Sequence, residues 1–109
     1  MLQKQNRLPA HTKLHHPFSF TTPLFILKVS NNGLQTSRFA FVIRKALDKR
    51  ATERNRMRRV FRSCIETMLD ELKEGKDMLF LLKKGILEMR HEDLYNEVHT
   101  FLRERQLLK

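Results

Sequence analysis

The chain has 109 residues, enough for one domain that buries roughly 60–70% of the surface of its unfolded form. Its formal net charge is +10 and its hydrophobic fraction 40%, and Cys64 is the only cysteine, so an intrachain disulfide is excluded and a reducing cytoplasm is the expected setting. No apolar run nears the ~20 residues of a membrane span, and the polar opening MLQKQNRLPAHTKLHH lacks the apolar stretch of a secretory signal.

Residues 1–22 read as an irregular segment, because Pro9, Pro17 and Pro23 each disfavour helix in the residue before. A short helical turn fits at 10–14 with Pro9 in its first position, and the segment leaves room for one further strand. Residues 24–29 (LFILKV) are apolar and β-favouring and predict a strand. Asn32-Gly33 then signals a turn, since both residues tolerate positive φ. Residues 38–43 (RFAFVI) resume as a strand with Phe39, Phe41 and Ile43 on one face and Arg38, Ala40, Val42 and Arg44 on the other. These two strands predict an antiparallel hairpin.

A helix is expected to start between Asp48 and Thr52, either of which can cap it, and to run to Lys73 or Glu74 before Gly75. Met57, Val60, Phe61, Cys64, Ile65, Met68, Leu69 and Leu72 recur at helical spacing as one buried stripe, in which Cys64 is a packing residue. Residues 78–82 (MLFLL) form an uninterrupted apolar run that predicts a strand buried on both faces. Leu94, Val98, Phe101 and Leu102 place a final helix over 91–105, with His91 and His99 on its solvated side. The order β-β-α-β-α describes a small single-domain α/β sandwich over 1–109, with helices packed on an antiparallel or mixed sheet.

Charge is concentrated rather than spread. Between Arg38 and Arg62 stand ten basic and two acidic residues, a balance of +8 out of the total of +10. At 100° per residue, Arg54, Arg58, Arg62, Asn55, Arg59 and Arg56 cover nearly the whole half of the helix that the apolar stripe leaves open. Such like-charged i, i+4 neighbours weaken an isolated helix, and a chain selected only for solubility would intersperse Glu, as the second half of this helix does. Arginine predominates over lysine here, and guanidinium grips phosphate bidentately and stacks on bases. The pattern therefore points to a polyanion, and to RNA before DNA, because no helix-turn-helix, zinc or zipper pattern accompanies it. A helix lying on anionic membrane is disfavoured by the lack of Trp and of bulky interfacial residues.

Chemistry by the chain itself is not indicated. The acidic residues after Glu66 sit at ordinary helix-surface spacings, outside the basic surface where a two-metal site would meet a phosphate. His11, His15 and His16 lie close in sequence without a Cys or carboxylate nearby, so no metal site is assigned. Phe25, Phe39 and Phe41 are expected in the core, because the helix needs an apolar surface to pack on.

The stretch KRATERNRMRRVFR (49–62) resembles the RNR signature of the bacterial ribonuclease P protein component. A strand of the form RFGF-V-KK precedes that signature in the family, as RFAFVIRK (38–45) does here, and KQNRL (4–8), DMLFLLKKG and HEDLYNEVHTFL match its flanks. The resemblance covers essentially the whole chain. It implies the protein subunit of a ribonucleoprotein endoribonuclease that removes the 5′ leader from precursor tRNA, with catalysis by the RNA subunit and its Mg²⁺ ions and no cofactor on the protein. The implied partners are that catalytic RNA and precursor tRNA, with no membrane and no protein partner. The implied RNA-gripping residues are Arg54, Asn55, Arg56, Arg58, Arg59 and Arg62, approached by Lys45, Lys49 and Arg50. The family fold also carries a left-handed β-α-β crossover around this helix, against the general preference.

The chain departs from the family in the shortened space before Phe25, where an amphipathic first helix of several turns would stand, so that helix is expected to be shortened or absent. The leader cleft along the sheet is assigned to Lys28, Arg38, Val42 and Arg44, with Phe18 and Phe20 standing in from an extended segment for the missing aromatics. The family's Gly in the RFGF strand is Ala40 here. Without the resemblance, a free-standing RNA-binding or ribosome-associated protein with no role in cleavage fits the same residues.

Overall fold

The computed structural model describes residues 2–9 and 11–109. Four strands, β1 (Phe18–Thr21), β2 (Phe25–Asn31), β3 (Arg38–Val42) and β4 (Lys76–Leu82), form one mixed sheet in the order β1-β2-β4-β3. Two helices, α1 (Ala51–Thr67) and α2 (His91–Glu104), supply the second layer. β1 and β4 run antiparallel to β2, whereas β3 and β4 are parallel neighbours, so α1 is the crossover between them. The expected α/β architecture is present, and the further strand in the N-terminal region is β1.

The hairpin expected from Asn32-Gly33 does not form, because β4 lies between β2 and β3. The turn itself is there: Gly33 has φ 71°, and Asn32 Oδ1 accepts from the Leu34 amide at 2.7 Å. The partner choice follows from β4. Its apolar run has hydrogen-bonding edges on both sides, and a central position satisfies both while covering its Met78, Phe80 and Leu82 face. That face is buried completely, but Leu79 and Leu81 on the other are only half-buried, so the strand is not sealed on both sides as expected.

One face of the sheet carries the core. Phe25, Phe41 and Phe80 meet Phe61 of α1, with ring centroids 4.9–5.8 Å apart in the Phe61–Phe80, Phe25–Phe61, Phe25–Phe80, Phe41–Phe61 and Phe41–Phe80 pairs. Each such side chain contributes about 1.5–3 kcal/mol through burial. Met57, Cys64 and Ile65 of α1 and Leu94, Val98 and Leu102 of α2 complete the layer. Phe25, Phe39 and Phe41 are thus core residues, as the packing argument required.

α1 stops at Thr67, short of Lys73, and a 3-10 turn (Leu69–Glu71) follows. The backbone that would have continued the helix is taken by the C-terminal residues. Leu72 bridges Leu108, the Lys73 amide donates to Leu107 O at 2.9 Å, and the Lys109 amide donates to Glu71 O at 2.7 Å. Gly75 then serves a turn rather than a helix end, with φ 77° and only 3.2 Å between a Cβ placed there and Leu34 O.

The N-terminal segment is docked rather than irregular throughout. Leu2 and Leu8 are buried, Asn6 Nδ2 donates to Ser37 O at 2.9 Å, and the Leu8 amide donates to Phe39 O at 2.9 Å, covering the outer edge of β3. The helical turn expected over 10–14 begins at Ala10, outside the described residues; from His11 onward there is a turn, with Thr12 N donating to Pro9 O at 2.9 Å, and no helix.

Candidate nucleic-acid interface

The strand-to-helix junction after β3 builds the basic surface. Asp48, expected as a candidate cap, does not cap the helix; Arg50 occupies the N-cap position without a side-chain cap bond. Instead the Asp48 carboxylate accepts from the Arg50 amide at 2.9 Å and from Arg50 Nε and Nη2 at 3.1 and 3.0 Å. Arg54 Nη1 donates to the Asp48 carbonyl oxygen at 2.9 Å. The Arg50 guanidinium, and then its amide, hold the Asp48 carboxyl down to about 2. Two of the expected arginines are therefore fixed in direction by one acidic residue, a role that its type and position did not announce.

Along α1 the remaining candidates divide by face. Asn55, Arg56 and Arg59 are exposed, as are Lys45, Lys49 and Arg50 ahead of them, whereas Arg54, Arg58 and Arg62 are half-buried beside the sheet. Arg58 Nη1 donates to Asn55 Oδ1 at 2.6 Å, and Arg56 lies a loose 3.8 Å from Glu53. The Arg62 guanidinium sits 5.8 Å over the Phe41 ring. None of these arginines turns into the core, and the nine residues 45, 49, 50, 54, 55, 56, 58, 59 and 62 are all exposed or half-buried on and before α1.

The sheet face away from the helices is open and mixed in character. Strand register sets Ile26, Leu81 and Val42 in one row and Lys28, Leu79 and Ala40 in the next. Arg38 follows, but its guanidinium is bound bidentately by the buried Asp77 at 2.9 and 2.7 Å and is less available than expected. Burial pushes the Asp77 carboxyl up, and hydrogen bonds from Arg38 and Asn32 outweigh that and leave it lowered. Arg44 lines a hollow of about 310 Å³ at the end of this face with Ile26, Val42, Leu47 and Lys83. Lys83, which the sequence reading passed over, donates through Nζ to Thr22 O at 2.7 Å; its place directly after the apolar run is the only signal that marks it.

Phe18 and Phe20 do not join that face. They pair with Val29 and Leu27, whose side chains belong to the core side, so alternation points both away from Lys28 and Val42. Phe20 packs 6.1 Å from Phe101 and 5.5 Å under the Arg105 guanidinium, while Phe18 is 73% exposed on the edge strand. An extended segment does replace the first helix, but of its aromatics Phe20 serves α2 and Phe18 stays exposed, and neither joins the open face. His99 is also less solvated than expected, with Nε2 3.2 Å from Glu71 Oε1. Among the described residues no three His, Cys, Asp or Glu are placed to hold a metal ion, and no helix is long and apolar enough to cross a membrane.

Comparison with known proteins accounts for this arrangement. The family model described as Ribonuclease P matches residues 3–106. A ribonuclease P protein component of Synechococcus elongatus is 32% identical over 107 residues, covering 94% of this chain and 81% of the relative. One from another Synechococcus is 36% identical over 72 residues, covering 66% of this chain and 54% of the relative, so the match spans about half of that longer protein. Among solved structures, the RNase P protein from Thermotoga maritima superposes with TM-score 0.73 at 18% identity, covering 82% of this chain and 84% of that one. The RNase P protein from Staphylococcus aureus gives 0.70 at 17%, covering 100% and 96%. The two structural likenesses speak for the fold, while the family match across nearly the whole chain speaks for descent. This chain belongs to the ribonuclease P protein family.

Proposed function

We propose that the protein works as the subunit of ribonuclease P that binds the catalytic RNA along the arginine face of α1 and receives the 5′ leader of precursor tRNA on the open sheet face. The observation that carries this reading is the surface from Lys45 to Arg62, whose first two arginines are locked in direction by Asp48. A guanidinium held in place with donors to spare, as Arg54 is through Nη1 alone, binds phosphate without first losing rotamer freedom, and each phosphate neutralised releases condensed counterions. Bond cleavage would fall to the RNA, whose Mg²⁺ ions would supply the chemistry of activating a nucleophile and stabilising charge. The chain's own part is to screen repulsion between two RNAs and to orient the leader along Lys28, Val42 and Arg44.

Reconstitution tests it. Cleavage of a precursor tRNA by a bacterial-type catalytic RNA at low Mg²⁺ should rise sharply when the protein is added. The double substitution Arg54→Ala/Arg58→Ala should weaken RNA binding about ten-fold or more and make the slope of log K against log salt shallower by about one to two. Assembly unchanged in that variant would refute the assignment, and RNA binding without any effect on cleavage would leave a free-standing RNA-binding protein.

A further inference from the structure

A groove of about 410 Å³ runs between α1, β3 and the docked N-terminal segment. Its floor is apolar, drawn from Leu2, Leu8 and Phe41 among others, and its rim carries Arg7, Arg58 and Arg62. No carboxylate lines it among the described residues. We propose that this groove receives a single unstacked nucleotide of the catalytic RNA, with the base against the apolar floor and the flanking phosphates on the three guanidiniums. The inference rests on the RNA-binding reading and adds to it a base-holding site that a row of phosphate contacts does not provide.

Four observations carry it. First, the chemistry of the lining asks for an occupant that is flat and apolar in one part and anionic in the next. An aliphatic ligand has no use for three cations, and a bare phosphate has none for the floor. Secondly, the volume lies at the lower end of the ~300–1,000 Å³ of small-molecule sites, which suits one nucleotide and excludes a duplex. Thirdly, the walls are built. The segment is tied to β3 by Leu8 N to Phe39 O at 2.9 Å and Asn6 Nδ2 to Ser37 O at 2.9 Å, to α1 by Leu2 N to Glu66 Oε1 at 2.9 Å, and within itself by Arg7 Nε to Leu2 O at 3.1 Å. Lastly, Arg58 and Arg62 belong both to the groove and to the RNA-facing helix, so an RNA backbone gripped along α1 passes the mouth. Unpaired bases splayed from folded RNA are held in this way, by stacking on aromatic rings and guanidinium planes; the Arg62 guanidinium already covers the buried Phe41 ring, so the plane on offer is its own.

The test is a titration of the full isotope-labelled chain, followed by amide chemical shifts, with adenosine 5′-monophosphate and in parallel with ribose 5-phosphate. Saturable shifts at Leu8, Ala40 and Phe41 with the nucleotide, and much smaller ones with the sugar phosphate, are expected. Equal responses to both ligands, or shifts confined to the arginines, would reduce the groove to a phosphate site and overturn the proposal. So would shifts produced by a short acidic peptide bearing Phe when the nucleotide produces none. A second arm measures the affinity of Leu8→Trp, which fills the groove, for the intact catalytic RNA. With the fold checked by circular dichroism, binding should weaken at least about five-fold at an unchanged salt slope, because a stacking contact and not a charge is lost. Unchanged affinity in the folded variant overturns the proposal. If the nucleotide leaves the groove amides unmoved while the native chain still binds the RNA, only the groove inference fails; if the native chain does not bind the RNA, both readings fall.

Discussion

Asp48 is an acidic residue set beneath a basic surface, and its two effects on RNA binding have opposite signs. Coulomb attraction alone says that Asp48→Asn should bind RNA more tightly, because one negative charge leaves the interface. The geometry says the reverse, because Arg50 loses the ionised half of its bidentate partner and the turn that delivers Arg54 loosens. We expect Asp48→Asn to bind the catalytic RNA several-fold more weakly, read from titrations at several salt concentrations. Its carboxyl is depressed when folded, so its stabilising contribution is complete above the unfolded value near 4 and is lost as pH falls towards about 2. Thermal melts of the native chain and Asp48→Asn should therefore differ at pH 5 and converge near pH 2. Cys64 offers a separate check on the core. Burial pushes its thiol up to about 11 in a fully buried position, so iodoacetamide should leave it unmodified in the native protein and alkylate it in urea.

At the scale of elements, the parallel pairing of β3 with β4 depends on a charged clamp. Arg38 and Asp77 stand directly opposite in the register, and the carboxylate also accepts from Asn32 Nδ2 at 2.9 Å. Arg38→Met should strand the buried carboxylate and cost about 2–3 kcal/mol, less than the ~3–5 of a fully buried pair because Arg38 is about a third exposed. Urea unfolding should show the loss at pH 7. It should diminish as pH falls below about 4, since the contribution of the depressed Asp77 is complete above its unfolded pKa and is lost as pH falls through its lowered folded value. The sequence announced the elements better than their partners. Alternation in RFAFVI and the spacing of Leu94, Val98 and Leu102 were sufficient to place β3 and α2, because periodicity records which side is buried. Periodicity is silent on which strand lies alongside, and Asn32-Gly33 marks a turn whether or not its flanks pair. The early end of α1 was equally hidden, because the groups that take over its backbone come from the distant Leu107 and Lys109. The arginine face was legible as chemistry, whereas the Asp48 anchor, the groove beside Arg7 and the reversed placement of Phe18 and Phe20 depended on tertiary register.

Over the whole molecule the positive charge is concentrated in one stretch. Arg38 to Arg62 carries +8 of the +10, while Glu71, Glu74, Glu92, Asp93 and Glu97 gather along the later turn and α2. Positive charge so concentrated speeds encounter with a polyanion and favours approaches that present α1. Association with RNA should accordingly slow by an order of magnitude or more between low and physiological salt, while dissociation changes less, which stopped-flow mixing would show.

The element proposed to grip RNA is also the bridge that brings β3 and β4 side by side. Closing the sheet and presenting the arginines are consequently one event, and ligation feeds back on folding. At RNA concentrations a hundred times Kd, the native state should gain about 2.7 kcal/mol, and deuterium uptake at the amides of Met78 to Leu82 should slow even though that strand lies beneath the helix and outside the groove. A chain whose crossover is loosened would lose its grip and its seam together.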